Sequence, residues 1–296
     1  MNSGFVAVVG RPNVGKSTLV NRMVGSKVAI TSKRPQTTRN AIRGVVHGEG
    51  FQIVLVDTPG LHKPRTELGN RLNALVYGTL ADADAVTFVI DATAPVGPGD
   101  RLIAERLIES RASVVVAVNK IDTASREQTV AQLVEAAEWP FEHYFPTSAR
   151  TGEGVPEMVE ELVSRLPEGP RYYPEEMLTD QPESLVIGEI IREKFLDRLS
   201  DELPHALVVQ VEDIQQRDDG LIDIAADLIV ERNSQKGIVI GKGGSLLKTA
   251  GTEARRELET ILGDRVNLDL RVEVEKDWQR RPQLLDRLGF EDIGWR

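Results

Sequence analysis

"FVAVVGRPNVGKST", Phe5 to Thr18, joins a short apolar run to a glycine-rich turn ending in Gly-Lys-Ser. The run Phe5–Val9 is continuous rather than alternating, as expected of a strand buried on both faces. The turn is Gly10, Arg11, Pro12, Asn13, Val14, Gly15, Lys16 and Ser17, followed by Thr18, and it has the spacing G-x-x-x-x-G-K-[ST]. Between a strand and a helix, such a turn lets backbone N–H groups approach phosphate closely, and the helix start adds positive potential. Lys16 is the candidate to reach the β- and γ-phosphates and to serve catalysis there. The Ser17 hydroxyl is the candidate Mg²⁺ ligand.

Outward from this stretch the same pattern recurs. Apolar runs at Phe51–Val56, Ala85–Ile90, Val114–Val118 and, more weakly, Tyr144–Phe145 alternate with helix-like segments. Those segments include Lys16–Val24, Leu68–Leu80, Asp100–Ser110 and Arg126–Ala137. This predicts an α/β domain whose mostly parallel sheet is covered by helices on both faces, with ligands at the carboxyl ends of the strands.

Further motifs follow those strand ends. "DTPG", Asp57, Thr58, Pro59 and Gly60, offers a carboxylate that holds Mg²⁺ through water and an N–H at Gly60 that senses a γ-phosphate. "NKID" supplies Asn119, Lys120 and Asp122. The Asp122 carboxylate accepts hydrogen bonds from guanine N1 and N2, whereas adenine would leave it unpaired; bonds of this kind discriminate by roughly 10⁴-fold. "TSA", Thr147 to Ala149, adds Ser148 and a backbone N–H at Ala149 for guanine O6. Four motifs in this order point to GTP.

Between the first two motifs lies the polar loop "SKRPQTTRN", Ser32 to Asn40. Thr37 or Thr38 is expected to complete the Mg²⁺ shell when a γ-phosphate is present, so that the loop orders with GTP and relaxes after hydrolysis. The residues alone do not choose between the two threonines. Leu61 occupies the position where many GTPases carry a water-orienting glutamine, so hydrolysis draws on another donor, a cation or a partner. Asn13 either helps to hold K⁺, offsetting charge in the transition state, or only stabilises the loop.

The second half reads differently. The expected division is a GTPase domain over 1–168, a linker over 169–184 and a KH domain with a C-terminal tail over 185–296. Pro170, Pro174 and Pro182 break helices in the linker, and Glu175, Glu176 and Asp180 keep it solvated. Leu185–Leu199 looks helical, and Leu207–Val211 and Ile222–Val230 alternate. Leu246, Leu247, Ala250, Ala254, Leu258, Ile261 and Leu262 follow helical spacing, and Val266 to Val274 alternate without a break. Between these elements lies Ile240, Gly241, Lys242, Gly243, Gly244, then Lys248, a Gly-x-x-Gly turn without the Lys-Ser/Thr of a triphosphate loop. In an α+β setting this is the signature of a KH module (type II), whose loop clamps about four nucleotides of single-stranded RNA. Trp278 and Trp295 are expected packing anchors, and His62 a surface-loop residue.

Composition bounds the rest. The 296 residues contain no cysteine, which excludes disulfides and thiolate metal sites and fits a reducing compartment. No signal peptide or membrane-spanning apolar run is evident, so a cytoplasmic address is expected. The net charge is −10, and residues 180–296 carry 17 Lys and Arg against 25 Asp and Glu. Broad, sequence-blind binding to nucleic acid is thereby disfavoured, and any RNA site is expected to be local.

Taken in order, "GRPNVGKS", "QTTRN", "DTPGL", "NKID", "TSA" and "VIGKGG" resemble the Era family of bacterial GTPases over nearly the whole chain. The resemblance implies a translation-factor-type GTPase domain followed by a KH domain, and Leu61 fits the family's hydrophobic residue at the glutamine position. It further implies binding of the 3′ end of small-subunit ribosomal RNA, action on the 30S-type subunit during its maturation, and peripheral contact with the inner face of the cell membrane. A monomer is expected. A static nucleotide within an RNA-binding module, and a membrane regulator without RNA, are the rival readings.

Overall fold

The computed structural model describes residues 1–290 apart from 33, 35–36, 62–63 and 201. Strands β1 (Asn2–Val9), β2 (Ile42–Gly48), β3 (Phe51–Asp57), β4 (Ala85–Asp91), β5 (Val114–Asn119) and β6 (His143–Thr147) form one sheet in the order β2-β3-β1-β4-β5-β6. All neighbours are parallel except β2 and β3, which form an antiparallel hairpin. Helices α1 (Lys16–Val24), α2 (Glu67–Asp82), α3 (Pro98–Glu109), α4 (Arg126–Ala136) and α5 (Val155–Arg165) connect them.

The two faces explain the apolar runs. Val6 and Val8 of β1 pack with Leu19, Met158 and Leu162 on one face, whereas Ala7 and Val9 pack with Ile103 and Leu107 on the other. A strand covered on both sides has no polar face to alternate with. The parallel register aligns Val8 with Asp57, and Asn119 with both Asp91 and Thr147, so the strand ends that carry the motifs lie along one edge of the sheet. The apolar-run reading passes over β2, because Arg43, Gly44 and His47 interrupt its run.

The second half contains α6 (Glu183–Leu196), α7 (Leu203–Ala206), β7 (Val208–Gln216), β8 (Ile222–Val230), α8 (Asn233–Ile240), α9 (Ser245–Leu262), β9 (Val266–Val274) and α10 (Pro282–Arg287). Its sheet has the order β7-β8-β9, with β7 antiparallel and β9 parallel to β8. Ile224, Ala226, Leu228 and Val230 of β8 face Ile187, Ile191 and Phe195 of α6 and Ala250, Ala254 and Leu258 of α9. One covered face per strand gives the alternation seen in Ile222–Val230 and Val266–Val274.

The C-terminal segment ties the halves together. Trp278, Leu285 and Phe290 form a cluster with Val208 and Ile229 of the small sheet and with Leu68 and Leu72 of α2. Trp278 is fully buried; its Nε1 donates to Ala206 O at 3.0 Å, and its ring stacks on Phe290 at 5.8 Å. Burying a leucine such as Leu72 stabilises by about 1.5–3 kcal/mol. Trp295 and His62 lie outside the described residues.

Residues 169–184 stay largely exposed, Glu175 and Glu176 included, yet they are fastened along β2 as a strap. Leu178 O accepts from Val45 N at 2.8 Å on the free edge of β2, and Thr179 Oγ1 donates to Arg43 O at 2.6 Å. The Gln52 side chain accepts from the Tyr172 and Tyr173 N–H groups and donates to Tyr173 O. Covering the edge strand in this way satisfies backbone groups that would otherwise invite another strand. Among the described residues no helix is long and apolar enough to cross a membrane.

Candidate functional site

The carboxyl ends of β1, β3 and β5 border a cavity of about 700 Å³. Its lining includes Pro12, Asn13, Gly15, Lys16, Ser17 and Thr18 from the first motif, Gly60 from the second, and Asn119, Lys120, Asp122 and Ala149 from the last two. Thr31, Ser32, Arg34, Thr37 and Thr38 close one side, and Asp197 of the second half reaches the rim. The structure thus gathers residues from six separate stretches of sequence around one space.

The loop before α1 is held by the chain's own contacts. Gly15 has φ 100°, and a Cβ there would stand 2.4 Å from Asn119 Nδ2, so only glycine fits. Asn119 staples two motifs together: its Nδ2 donates to Val14 O at 2.9 Å, and its Oδ1 accepts from Ala149 N at 2.9 Å. Lys16 Nζ donates to Gly10 O and Arg11 O at 3.1 and 3.0 Å, which arches the loop over its own lysine. Burial lowers the Lys16 pKa to about 8, opposed by the attraction of Asp57.

At the phosphate end three oxygens converge. Ser17 Oγ donates to Asp57 Oδ2 at 2.6 Å, Thr38 Oγ1 donates to the same oxygen at 3.1 Å, and the two hydroxyls are 3.0 Å apart. Asp57 is fully buried and its Oδ1 has no hydrogen-bond partner; desolvation raises its pKa despite Lys16. Thr37 is not part of this group, because its hydroxyl donates to Arg34 O at 2.7 Å. Expecting either threonine as a metal ligand is thereby narrowed to Thr38. Hard oxygens from two hydroxyls beside a buried carboxylate suit Mg²⁺, and the unpartnered Oδ1 suits a water of its shell. Among the described residues no cluster of three His, Cys, Asp or Glu side chains offers a rival metal site.

At the base end, Asp122 Oδ1 accepts from Ser148 Oγ at 2.8 Å, and Oδ2 pairs with Arg150 at 2.7 Å. The Ser148 hydrogen bond is the main reason that the Asp122 pKa is lowered, which keeps the carboxylate ionised and able to accept from guanine. Lys120 Nζ bonds Asn13 O at 2.6 Å and Asp91 Oδ2 at 2.5 Å, laying its chain across the cavity floor.

Other expected site residues act from outside the cavity. Arg11 turns away to pair with the buried Asp100 at 2.7 Å, Thr58 Oγ1 donates to Val8 O at 2.8 Å, and Leu61 packs on the hydrophobic cluster beneath α3. Leu61 therefore does not line the nucleotide cavity; its apolar side chain is drawn to the core. Residues that motif reading missed are Asp91, Arg150, Asp197 and Arg22, whose guanidinium holds the Ala149 and Arg150 carbonyls. Asp91 had a legible signal, an acid at a strand end like Asp57; the others are ordinary charges in sequence.

The second glycine turn lies between α8 and α9. Gly241, Gly243 and Gly244 have φ of 76°, 60° and 80°. A Cβ on Gly241 would crowd Leu246 at 2.8 Å, whereas the space beside Gly243 and Gly244 is open. Lys242 is exposed within the turn and Lys248 on α9 just after it, Ile240 is half-buried before the turn, and the 18-residue α9 directs its amino-terminal N–H groups towards it. The turn presents bare backbone and two cations to solvent, a surface for phosphodiesters rather than a socket for a triphosphate.

Comparison with known proteins agrees with both halves. A family described as a 50S ribosome-binding GTPase matches residues 5–120, and one described as a KH domain matches residues 202–279. The chain is 54% identical to the GTPase Era of Mycobacterium tuberculosis H37Rv over 296 residues, 98% of this chain and 99% of that protein. It is 52% identical to that of Mycolicibacterium smegmatis over 294 residues, 97% and 98% of the two chains. A variant of Aquifex aeolicus Era bound to GDP and AlF4⁻ superimposes with a TM-score of 0.93 at 37% identity, covering 98% of this chain and 99% of that one. Era in complex with MgGDPNP and nucleotides 1506–1542 of 16S ribosomal RNA gives 0.94 at 37% identity, with the same coverage. Relatives more than half identical over nearly the full length of both chains carry the same name, and the chain belongs to the Era family of GTPases.

Proposed function

We propose that this GTPase is a switch that binds the 3′ region of small-subunit ribosomal RNA through its KH turn and assists assembly of that subunit in the cytoplasm. The observation that carries the reading is the Gly241–Gly244 turn, open beside Gly243 and Gly244, on the same chain as a cavity lined by the guanine-nucleotide motifs. The 16S fragment held by the similar Era structure supports a small-subunit target. The description naming the 50S particle belongs to a match over the GTPase half alone.

The chemistry follows from the site. Asp122 selects guanine, and Lys16 with the loop N–H groups neutralises the β- and γ-phosphates. Ser17 and Thr38 are the direct candidates to hold Mg²⁺, and Asp57 to hold it through water; the ion supplies charge compensation on the phosphates. Water attacks the γ-phosphorus while the bond to the bridging oxygen breaks, yielding GDP and phosphate. Asn13, in a left-handed backbone conformation at φ 67°, lines the cavity and is the candidate K⁺ contact. Equal turnover in K⁺ and Na⁺, unchanged in Asn13→Ala, would count against that role.

Crosslinking to cellular RNA tests the proposal. Wild-type protein should capture the 3′ region of small-subunit RNA, with yields that differ between GTP and GDP. Lys242→Glu and Gly244→Asp should lose most of it while still hydrolysing GTP. Undiminished crosslinking in both variants would remove the KH turn from the account.

A further inference from the structure

The loop that carries Thr38 is clasped by the KH half. Thr31 N donates to Glu193 Oε1 at 2.8 Å, and Arg34 Nη2 donates to Leu199 O at 2.6 Å. Arg39 is buried between the halves; its guanidinium donates to Leu207 O, Pro204 O and His205 O at 2.7, 2.9 and 2.8 Å and lies 5.9 Å from the Trp278 ring. In the opposite direction, Arg192 of α6 donates from Nη2 to the Thr37 carbonyl oxygen. Arg192 is fully buried, and Glu189, one turn earlier, grips its Nε and Nη2 at 2.7 Å each.

We infer that Arg192 is a positioning residue of the GTPase site: by holding the Thr37 carbonyl it fixes the Thr37–Thr38 peptide and aims the Thr38 hydroxyl at the metal position. The peptide is planar, so a hydrogen bond to its oxygen orients the whole Thr37–Thr38 unit. Thr38 Oγ1 then reaches Ser17 Oγ at 3.0 Å and Asp57 Oδ2 at 3.1 Å. A guanidinium is suited to this task because one planar fork serves Glu189 and Thr37 together, which a lysine cannot do. Arg192 touches neither nucleotide nor metal; it works through Thr38. The KH half thereby supplies part of the order at the metal position, and bound GTP with its Mg²⁺, but not GDP, supplies order to α6 in return.

The inference rests on the reading of Ser17 and Thr38 as Mg²⁺ ligands, and the experiment separates the two. GTP hydrolysis by the full chain is measured against Mg²⁺ concentration, with GDP affinity and thermal melting measured alongside. Thr38→Ala should raise the half-saturating Mg²⁺. Arg192→Gln should raise it about tenfold with a lower kcat, leaving GDP affinity unchanged. Arg192→Lys should recover part of the effect, and Glu189→Gln, which frees the arginine without removing it, should shift Mg²⁺ dependence less in the same direction. If Arg192→Gln fails to fold, Glu189→Gln decides. An unchanged Mg²⁺ midpoint in the folded Arg192 and Glu189 variants beside an impaired Thr38→Ala overturns the inference. An unimpaired Thr38→Ala overturns the metal reading beneath it.

Discussion

The two glycine turns differ in what surrounds them. At Gly15 a single added carbon would stand 2.4 Å from Asn119, and Asn119 and Lys120 tie that loop to distant strand ends. At Gly243 and Gly244 an added carbon would meet nothing within 4 Å. The first is a rigid socket pre-organised for one compact triphosphate, so its glycines answer to sterics and packing. The second is a surface turn, and its last two glycines answer to backbone conformation and to a ligand that comes from outside. Glycine and lysine before a helix are one sequence signal with two physical meanings, separated by whether the rest of the fold closes over them.

Substitutions at the two turns should have effects of very different size. The largest effect is expected at Gly15→Ala, where the clash and the positive φ act together. GTP affinity should fall by about a hundredfold or more, roughly 3 kcal/mol, with RNA binding in the absence of nucleotide retained; titration with a fluorescent guanine nucleotide reads it. Next comes pH. Without ligand, Lys16 titrates at about 8, because burial disfavours its charged form. Phosphates favour the charged form, so binding takes up a proton once the pH exceeds about 8, and affinity should fall by up to tenfold per further pH unit. Calorimetry of GDP binding near pH 8 in two buffers of different ionisation enthalpy measures that proton directly; no uptake would contradict the buried lysine. The smallest effect is expected at Lys242→Ala, an exposed single charge. RNA affinity should drop several-fold, the slope of log affinity against log salt should fall by about one, and GTP turnover without RNA should stay as it was.

The socket was the more legible of the two in the sequence, because its strands are buried on both faces and its chemistry sits at their ends. Phe5–Val9 and Val114–Val118 read as strands for the same reason that they hold Gly10 and Asn119 in place. What the sequence hid is long-range. β2 was masked by Arg43, Gly44 and His47, and its role depends on residues 169–184 covering its edge. The clasp was invisible because Arg39, Arg192 and Glu193 look like surface charges until the halves meet. It also accounts for part of the acid excess of the second half: Glu193 and Glu257 both pair with Lys27 of the GTPase domain, and Asp286 pairs with Arg71 of α2. Those acids face protein cations, not RNA.

In the proposed switch one loop senses GTP while the other holds RNA, and the clasp joins them. Its most direct test is the affinity of the full chain for an oligonucleotide of the small-subunit RNA 3′ end, measured with Mg²⁺ and either a non-hydrolysable GTP analogue or GDP. Coupled sites require the two affinities to differ by about fivefold or more, and the preference for the GTP analogue over GDP to change by the same factor when the oligonucleotide is added. Equal RNA affinity in both nucleotide states would contradict the claim.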